Sequence, residues 1–236
     1  MQYFGGKAKI AKELSAFLQS KIQPNQTFVD LFCGSCNVVS KIKADKRIAN
    51  DLHKELIALH IAVQQGWIPP EEISEQEYKL LKYDLDGNYS DHLRGFVGFG
   101  LSYGGKWFGG YARNYERVRN YSIESWNSLK RKHENLVDVH FTNLNYSQVE
   151  IPDVSLIYCD IPYKDTTKYS TCSFDHGAFY KYAKQKQSEG HTVYVSEYEQ
   201  NVPEGWEVIW RHESTKSIRN KDKVQEKTVE VLMTPL

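Results

Sequence analysis

Apolar residues follow two rhythms along this chain. After a Gly5-Gly6 turn, Ile10, Leu14, Phe17 and Leu18 recur at the three- and four-residue spacing of a helix face. Residues 27–32 read instead as a short strand, apolar except for Thr27 and Asp30. Gly34 then turns the chain into a second helical pattern through Val38, Val39 and Ile42. Residues 47–50 predict a short second strand ending at Asp51, followed by a helix through Leu56, Leu59, His60 and Val63. Pro69-Pro70 opens a polar helical segment over 71–85.

The texture changes at Gly95. The stretch GFVGFGLSYGGKWFGGY holds seven glycines and six aromatics in 17 residues. Glycine at that density weakens regular helix or strand, and the aromatics exclude a simple flexible linker. Beyond it, Ser122 is placed to cap a helix carrying Ile123, Trp126, Leu129 and Leu136 near one face. Strand-like runs return at 137–142, 154–159, 191–196, 206–210 and 228–233, with a helical segment at 174–186. Strands alternating with helices predict an α/β fold with a parallel sheet. Only a polar loop separates the last two strands, which reads as a hairpin. Residues from about 55 to 135 read as an insertion between the second and third strands.

Composition narrows the picture. A chain of 236 residues can bury one substantial core. Its 30 Lys+Arg balance 30 Asp+Glu, which argues against nucleic-acid binding by bulk charge but permits a local basic face. No apolar run approaches the ~20 residues that span a bilayer, and MQYFGGKAKI lacks a signal-peptide apolar core. The expectation is a soluble, cytoplasmic protein without a membrane partner. Cys33 and Cys36 have C-x-x-C spacing, but no second such pair and no H-x3-H accompany them. Buried free thiols are the expected state of Cys33, Cys36, Cys159 and Cys172, and no metal site is expected.

Three constellations carry chemistry. In the first, the strand before Gly34 and Asp51, 17 residues after that glycine, follow the logic by which a glycine turn admits a ligand to backbone amides and an acid receives ribose hydroxyls. Gly34 stands alone where a dinucleotide site has G-x-G-x-x-G, so the turn suits a nucleoside without a pyrophosphate. An ordinary strand–turn–helix with a solvated Asp51 remains open at this point. The second is Asp160-Ile161-Pro162-Tyr163 after an apolar strand. Asp160 and a carbonyl at Ile161 or Pro162 can accept the two hydrogens of an exocyclic amine, while Tyr163 stacks on the base. Taken alone, the tetrapeptide equally describes a carboxylate at a strand end beside a turn proline. In the third, residues 94–133 hold eight basic side chains and two acidic ones, a balance of +6 in a neutral chain. Interleaved with Phe96, Phe99, Tyr103, Trp107, Phe108 and Tyr111, they suit phosphate contact and base stacking. The competing description is an aromatic-packed subdomain with a solvated basic helix. A second basic stretch (Lys216, Arg219, Lys221, Lys223, Lys227) falls in the final hairpin loop and reads as merely exposed.

In order, Tyr3-Phe4-Gly5-Gly6-Lys7, DLFCGSC, Asn50-Asp51, the insertion and the tetrapeptide resemble the DNA adenine methylase (Dam-like) family of S-adenosylmethionine-dependent methyltransferases, alpha group. Phe174-Asp175-His176 and Val195-Ser196-Glu197-Tyr198 look most like phage-encoded members. The resemblance implies a Rossmann-like class I methyltransferase with a seven-stranded, mostly parallel sheet, a terminal antiparallel strand and a helical target-recognition insertion. Residues 1–55 and 136–236 would form the catalytic domain, and 56–135 the DNA-binding insertion. It implies transfer of a methyl group from S-adenosylmethionine to the N6 amine of a flipped adenine in double-stranded DNA, in a bacterial cell or phage-infected host, with or without a partner restriction enzyme.

The resemblance also implies roles. Asp160, Ile161, Pro162 and Tyr163 would form the catalytic clamp. Tyr3, Lys7, Asp30, Phe32, Gly34, Asp51, Asn145 and Asp160 would bind cofactor; Lys106, Arg113, Arg117, Arg119, Lys130 and Arg131 would meet DNA. Two positions depart from the family pattern. Ile161 stands where Asp-Pro-Pro-Tyr has its first proline, although Pro162 still holds it extended. Asn145 stands where many members have an acid, and it can donate as well as accept. An N4-cytosine methyltransferase, a catalytically inert cofactor- or DNA-binding relative, and a nicotinamide-dependent oxidoreductase are the alternatives; the single glycine argues against the last.

Overall fold

The computed structural model describes the chain apart from residues 2, 85, 114–118, 165–173 and 218–224, and describes only backbone at 215–217 and 225–227. The strands are β1 (Thr27–Asp30), β2 (Arg47–Asn50), β3 (Val139–Thr142), β4 (Ser155–Cys159), β5 (Thr192–Tyr198), β6 (Trp206–Ser217) and β7 (Gln225–Pro235). They form one sheet in the order β3-β2-β1-β4-β5-β7-β6. The first five run parallel, and β7 lies antiparallel to both β5 and β6. The expected seven-stranded sheet with a reversed strand and a terminal hairpin is therefore present.

Alternation along the strands divides two apolar layers. Phe28 and Leu156 face one core with Leu14 and Leu18 of α1 (Ala11–Gln19). Their neighbours Val29 and Ile157 face the other, with Met233 of β7, where Phe179 and Ala183 of α6 (His176–Ser188) pack. Successive strand residues point to opposite faces, so a continuous apolar run is what a sheet covered on both sides requires. The chain winds from β1 outward through β2 and β3, then returns beside β1 to run through β4 and β5. That reversal falls at the C-terminal ends of β1 and β4, the topological switch point at which open α/β sheets bind ligands.

Between β2 and β3 stand α2 (Lys54–Gln64), α3 (Glu75–Lys82), α4 (Asp91–Gly100) and α5 (Tyr121–His133). A third apolar cluster is built from these residues, including Leu59, Tyr78, Leu81, Phe96, Val97, Phe108 and Leu129. The glycine-rich stretch begins as helix α4, contrary to the expectation of irregular backbone. The glycines allow close approach: a Cβ on Gly95 would lie 2.2 Å from the Glu55 carbonyl oxygen, and one on Gly98 2.3 Å from the Trp107 ring. Packing that only glycine permits outweighs its poor helix propensity of about 1 kcal/mol.

Other boundaries moved. The expected helix after Gly34 is only a 3-10 turn, Val39–Lys41, because Gly34 and Cys36 both take positive φ (47° and 58°) and break the helical path. The polar helix begins at Glu75 with a capping box from Ser74, four residues later than expected. Asn120, not Ser122, caps α5, accepting from the Ile123 N–H at 3.0 Å. Ser122 donates instead to the Pro70 carbonyl at 2.6 Å. The last two strands extend well beyond 206–210 and 228–233 as the arms of one long hairpin. Among the described residues no helix is long and apolar enough to cross a membrane.

Candidate active site

Two turns meet at the C-terminal edge. Asp30 pairs with Tyr158 across β1 and β4, so the turn holding Gly34 and the segment starting at Asp160 leave the sheet side by side. The first turn is tied down by Asp51. One of its carboxylate oxygens accepts the Gly34 N–H at 2.9 Å and the other accepts the His53 N–H at 2.9 Å. The Tyr3 ring lies over Gly34, where an added Cβ would come within 3.0 Å of it. Tyr3 also packs against Phe99 of α4, ring centroids 5.0 Å apart, so the N-terminal segment joins the glycine turn to the insertion.

Behind the turn, Cys36 Sγ lies 3.4 Å from His60 Nε2, and His60 Nδ1 lies 3.0 Å from His133 Nε2. Burial, then the neighbouring His60 and Lys132, lower the His133 pKa to about 3, so this imidazole is neutral. Cys33, Cys36 and Cys159 are buried free thiols; Cys172 lies outside the described residues. Among the described residues no group of three or more His, Cys, Asp or Glu side chains is placed to hold a metal ion.

The second turn carries the charge. Lys7, only 7% exposed, places its Nζ 3.1 Å from Asp160 Oδ1 and 2.9 Å from Glu230 Oε2. It also donates to the Tyr163 hydroxyl and sits over the Tyr163 ring, 4.2 Å from the centroid. The Tyr163 hydroxyl lies 3.4 Å from Glu230 Oε2. Burial works against the Lys7 ammonium, but the two carboxylates outweigh it and its pKa is raised. Burial raises the Asp160 pKa too; Lys7 pulls the other way, and Glu230 adds to the rise. Asp30, buried behind them, is pushed up by burial, then by Cys36 and Asp160.

Glu230 was not anticipated from the sequence. It sits on β7 directly opposite Tyr198 of β5, and only the antiparallel course of β7 brings it to this edge. Glu197, also unanticipated as a site residue, is 0% exposed and anchors the backbone around the turn. It accepts from the N–H groups of Lys164 (3.1 Å) and Tyr198 (2.7 Å) and from Asn201 Nδ2 (3.2 Å). His176 Nε2 lies 2.9 Å from the Pro162 carbonyl oxygen, a hydrogen bond in which the imidazole is the donor. The one signal for these residues was the pair of short motifs around His176 and Glu197, which carried no assigned role.

The remaining candidates divide. Phe32 reaches the same edge in an aromatic cluster with Tyr146, Phe174 and Phe179. Asn145 reaches it because Asn50 Nδ2 donates to the Leu144 carbonyl (3.0 Å) and Asn143 Nδ2 to the Asp51 carbonyl (2.8 Å). Asn145 Oδ1 itself caps the next turn, accepting from the Ser147 N–H at 3.1 Å. Arg113 and Arg119 make exposed two-pronged pairs with Glu75 and Glu124, and Lys106 lies over the Phe4 ring at 4.4 Å. Lys130 and Arg131 are exposed on α5; Arg117 lies outside the described residues. Of the six aromatics proposed for base stacking, Phe96, Phe99 and Phe108 are buried, and Trp107 and Tyr111 partly so; Tyr103 stands out at 77%. Most of that aromatic signal is packing.

A mostly parallel sheet that reverses its winding between β1 and β4, with a glycine turn after β1 held by Asp51 and a carboxylate–aromatic turn after β4, is a Rossmann-like architecture. Residues 3–93 match the family model of the D12 class N6 adenine-specific DNA methyltransferases, in agreement with the resemblance of the motifs. Among curated relatives, the type II methyltransferase M.FokI of Planomicrobium okeanokoites is 26% identical over 193 residues, covering 71% of this chain. The modification methylase StsI of Streptococcus sanguinis is 26% identical over 195 residues, again covering 71%. The chain spans 29% of the length of each. Solved structures similar to it include the 23S rRNA methyltransferase ErmE (TM-score 0.42, 9% identity, 99% of this chain and 70% of that one). Another is the tRNA (m1A58) methyltransferase TrmI of Aquifex aeolicus (TM-score 0.39, 11% identity, 99% and 72%). At such scores the fold rests on the strand order itself.

Proposed function

We propose that this chain transfers the methyl group of S-adenosylmethionine to the N6 amine of an adenine flipped out of duplex DNA. The observation that carries this reading is the Asp160 carboxylate at the β4 edge, beside the glycine turn of β1 and joined to Lys7 and Tyr163. The cofactor's place is supported by the Gly34 turn at φ 47°, where a Cβ would crowd the Tyr3 ring at 3.0 Å, and by Asp51 at the end of β2. Tyr3, Lys7, Asp30, Phe32, Gly34, Asp51 and Asn145 would surround it. When bound, S-adenosylmethionine supplies a methyl group on a sulfonium sulfur, which departs as a neutral thioether.

The chain's own residues then have three tasks. Asp160 would accept one amino hydrogen of the adenine and the Ile161 carbonyl the other; the Pro162 carbonyl is already engaged by His176. Holding both hydrogens draws the nitrogen lone pair out of the ring and stabilises the positive charge that grows as the N–CH3 bond forms. Asp160 is also the nearest acceptor for the proton the amine loses. Tyr163 would stack on the extruded base, whose unpairing costs a few kcal/mol. Because the Lys7 ammonium lies 4.2 Å from the Tyr163 ring centre and the Tyr198 ring packs against it at 4.6 Å, this reading requires one of them to give way to the base.

Residues 56–135 would be the DNA-reading part, with Lys106, Arg113, Arg117, Arg119, Lys130 and Arg131 toward phosphates; residues 1–55 and 136–236 would form the catalytic part. A cytoplasmic location and a modification role with or without a restriction partner go with this reading. The test is transfer of labelled methyl from S-adenosylmethionine to duplex DNA followed by nucleoside analysis. N6-methyladenine is expected. N4-methylcytosine would refute the choice of base, and binding of cofactor and DNA without transfer would mark an inert relative.

A further inference from the structure

The Lys7 ammonium is shared between two carboxylates. The expected partner, Asp160, stands at 3.1 Å, and Glu230, from a strand more than 60 residues further along, stands at 2.9 Å. A buried lysine facing Asp160 alone would form a closed, neutral pair. A carboxylate so engaged is a weaker acceptor for any third group, because the cation already draws on its charge. Glu230 changes the stoichiometry: one cation and two carboxylates leave a net negative charge at the edge, and the Tyr163 hydroxyl at 3.4 Å from Glu230 ties the ring into the same arrangement.

We propose that Glu230 is a positioning residue of this site. By sharing Lys7 with Asp160 and holding Tyr163, it keeps Asp160 a strong acceptor aimed at the substrate amine. The proposal rests on the adenine-N6 reading for what Asp160 accepts, but the coupling among the side chains stands apart from it. The groups facing Asp160 are Lys7 from the segment before α1, Asp30 from β1, Tyr158 and Cys159 from β4, Tyr163 from its own turn and Glu230 from β7. Only Lys7 brings positive charge. Removing the Glu230 charge therefore makes Asp160 easier to ionise, and removing Lys7 makes it harder.

The test follows the Asp160 carboxyl by carbon-13 NMR titration of the ligand-free protein in wild type, Glu230→Gln and Lys7→Met. The midpoint should fall in Glu230→Gln and rise in Lys7→Met. An unchanged or raised midpoint in Glu230→Gln overturns the proposal. In methyl transfer, Glu230→Gln should lower kcat by about tenfold, the effect of roughly 1.4 kcal/mol of lost transition-state stabilisation. KM for DNA should stay within about twofold, since only an interaction of the transition state is weakened. The acid limb of its pH profile should move to lower pH, and Glu230→Asp should recover part of the rate. A uniform loss with an unmoved acid limb would mean Glu230 is only structural. If the wild type methylates no adenine, the proposed function falls while the titration still decides the role of Glu230.

Discussion

The sheet edge and the helical insertion use charge in opposite ways. At the edge, Lys7, Asp160 and Glu230 are largely withdrawn from water and share one another's hydrogen-bonding capacity, and the pKa values of Lys7 and Asp160 are raised. In the insertion, Arg113 and Arg119 pair with Glu75 and Glu124 in the open, where solvent screens such pairs and they add little to stability. Buried charges cannot be altered singly without leaving a partner stranded; exposed ones can exchange a carboxylate for a phosphate at little cost. Chemistry suits the first environment, and reversible attachment to a polyanion suits the second.

The largest break in this comparison should come from Asp160→Ala. Methyl transfer should fall by at least about 10²–10³-fold, the loss typical of a lone stabilising group at a reacting centre. DNA affinity measured by fluorescence anisotropy should stay within a few-fold; undiminished transfer would remove Asp160 from the chemistry.

Stability should next report the neutral His133 imidazole between the two regions. The folded pKa of His133 is lowered to about 3 from 6.5, so its stabilising contribution is complete above about pH 6.5 and is lost as pH falls toward 3. The unfolded chain takes up the proton first. At about 1.4 kcal/mol per unit this amounts to ~3 kcal/mol by pH 4.5. Urea unfolding across that window should be visibly flatter in His133→Gln, and equal slopes would contradict a buried neutral imidazole. In the insertion's interior, Gly95→Ala should cost about 1–3 kcal/mol by overpacking against Glu55, detectable as a lowered urea midpoint. The smallest effect is expected from Arg113→Ala with Arg119→Ala: weaker DNA binding and a salt slope reduced by up to about 2. An unaltered slope would mean that neither arginine meets a phosphate.

The sequence was most legible where backbone and burial requirements coincide. Runs such as 154–159 must be apolar because parallel strands are covered on both faces, and Gly34 stood out because the turn demands positive φ. It was least legible where distant residues converge. Glu230 lies in a strand whose spacing gives no hint of Lys7 or Asp160, and only the insertion of β7 beside β5 joins them. The glycine-rich stretch misled in the opposite sense: its glycines serve helix packing, and its aromatics mostly fill a core. The basic residues were visible as a count, but their carboxylate partners at Glu75 and Glu124 were not.

The central claim is that chemistry and DNA attachment belong to these separate regions. The most direct test is the single-turnover transfer rate at saturating DNA in the Arg113→Ala, Arg119→Ala protein, set beside Asp160→Ala. A rate close to wild type is expected once DNA saturates the arginine variant, and a rate at least about 10²–10³-fold lower in Asp160→Ala at every DNA concentration. A transfer rate that collapses in the arginine variant despite saturation, or one that persists without Asp160, would contradict it.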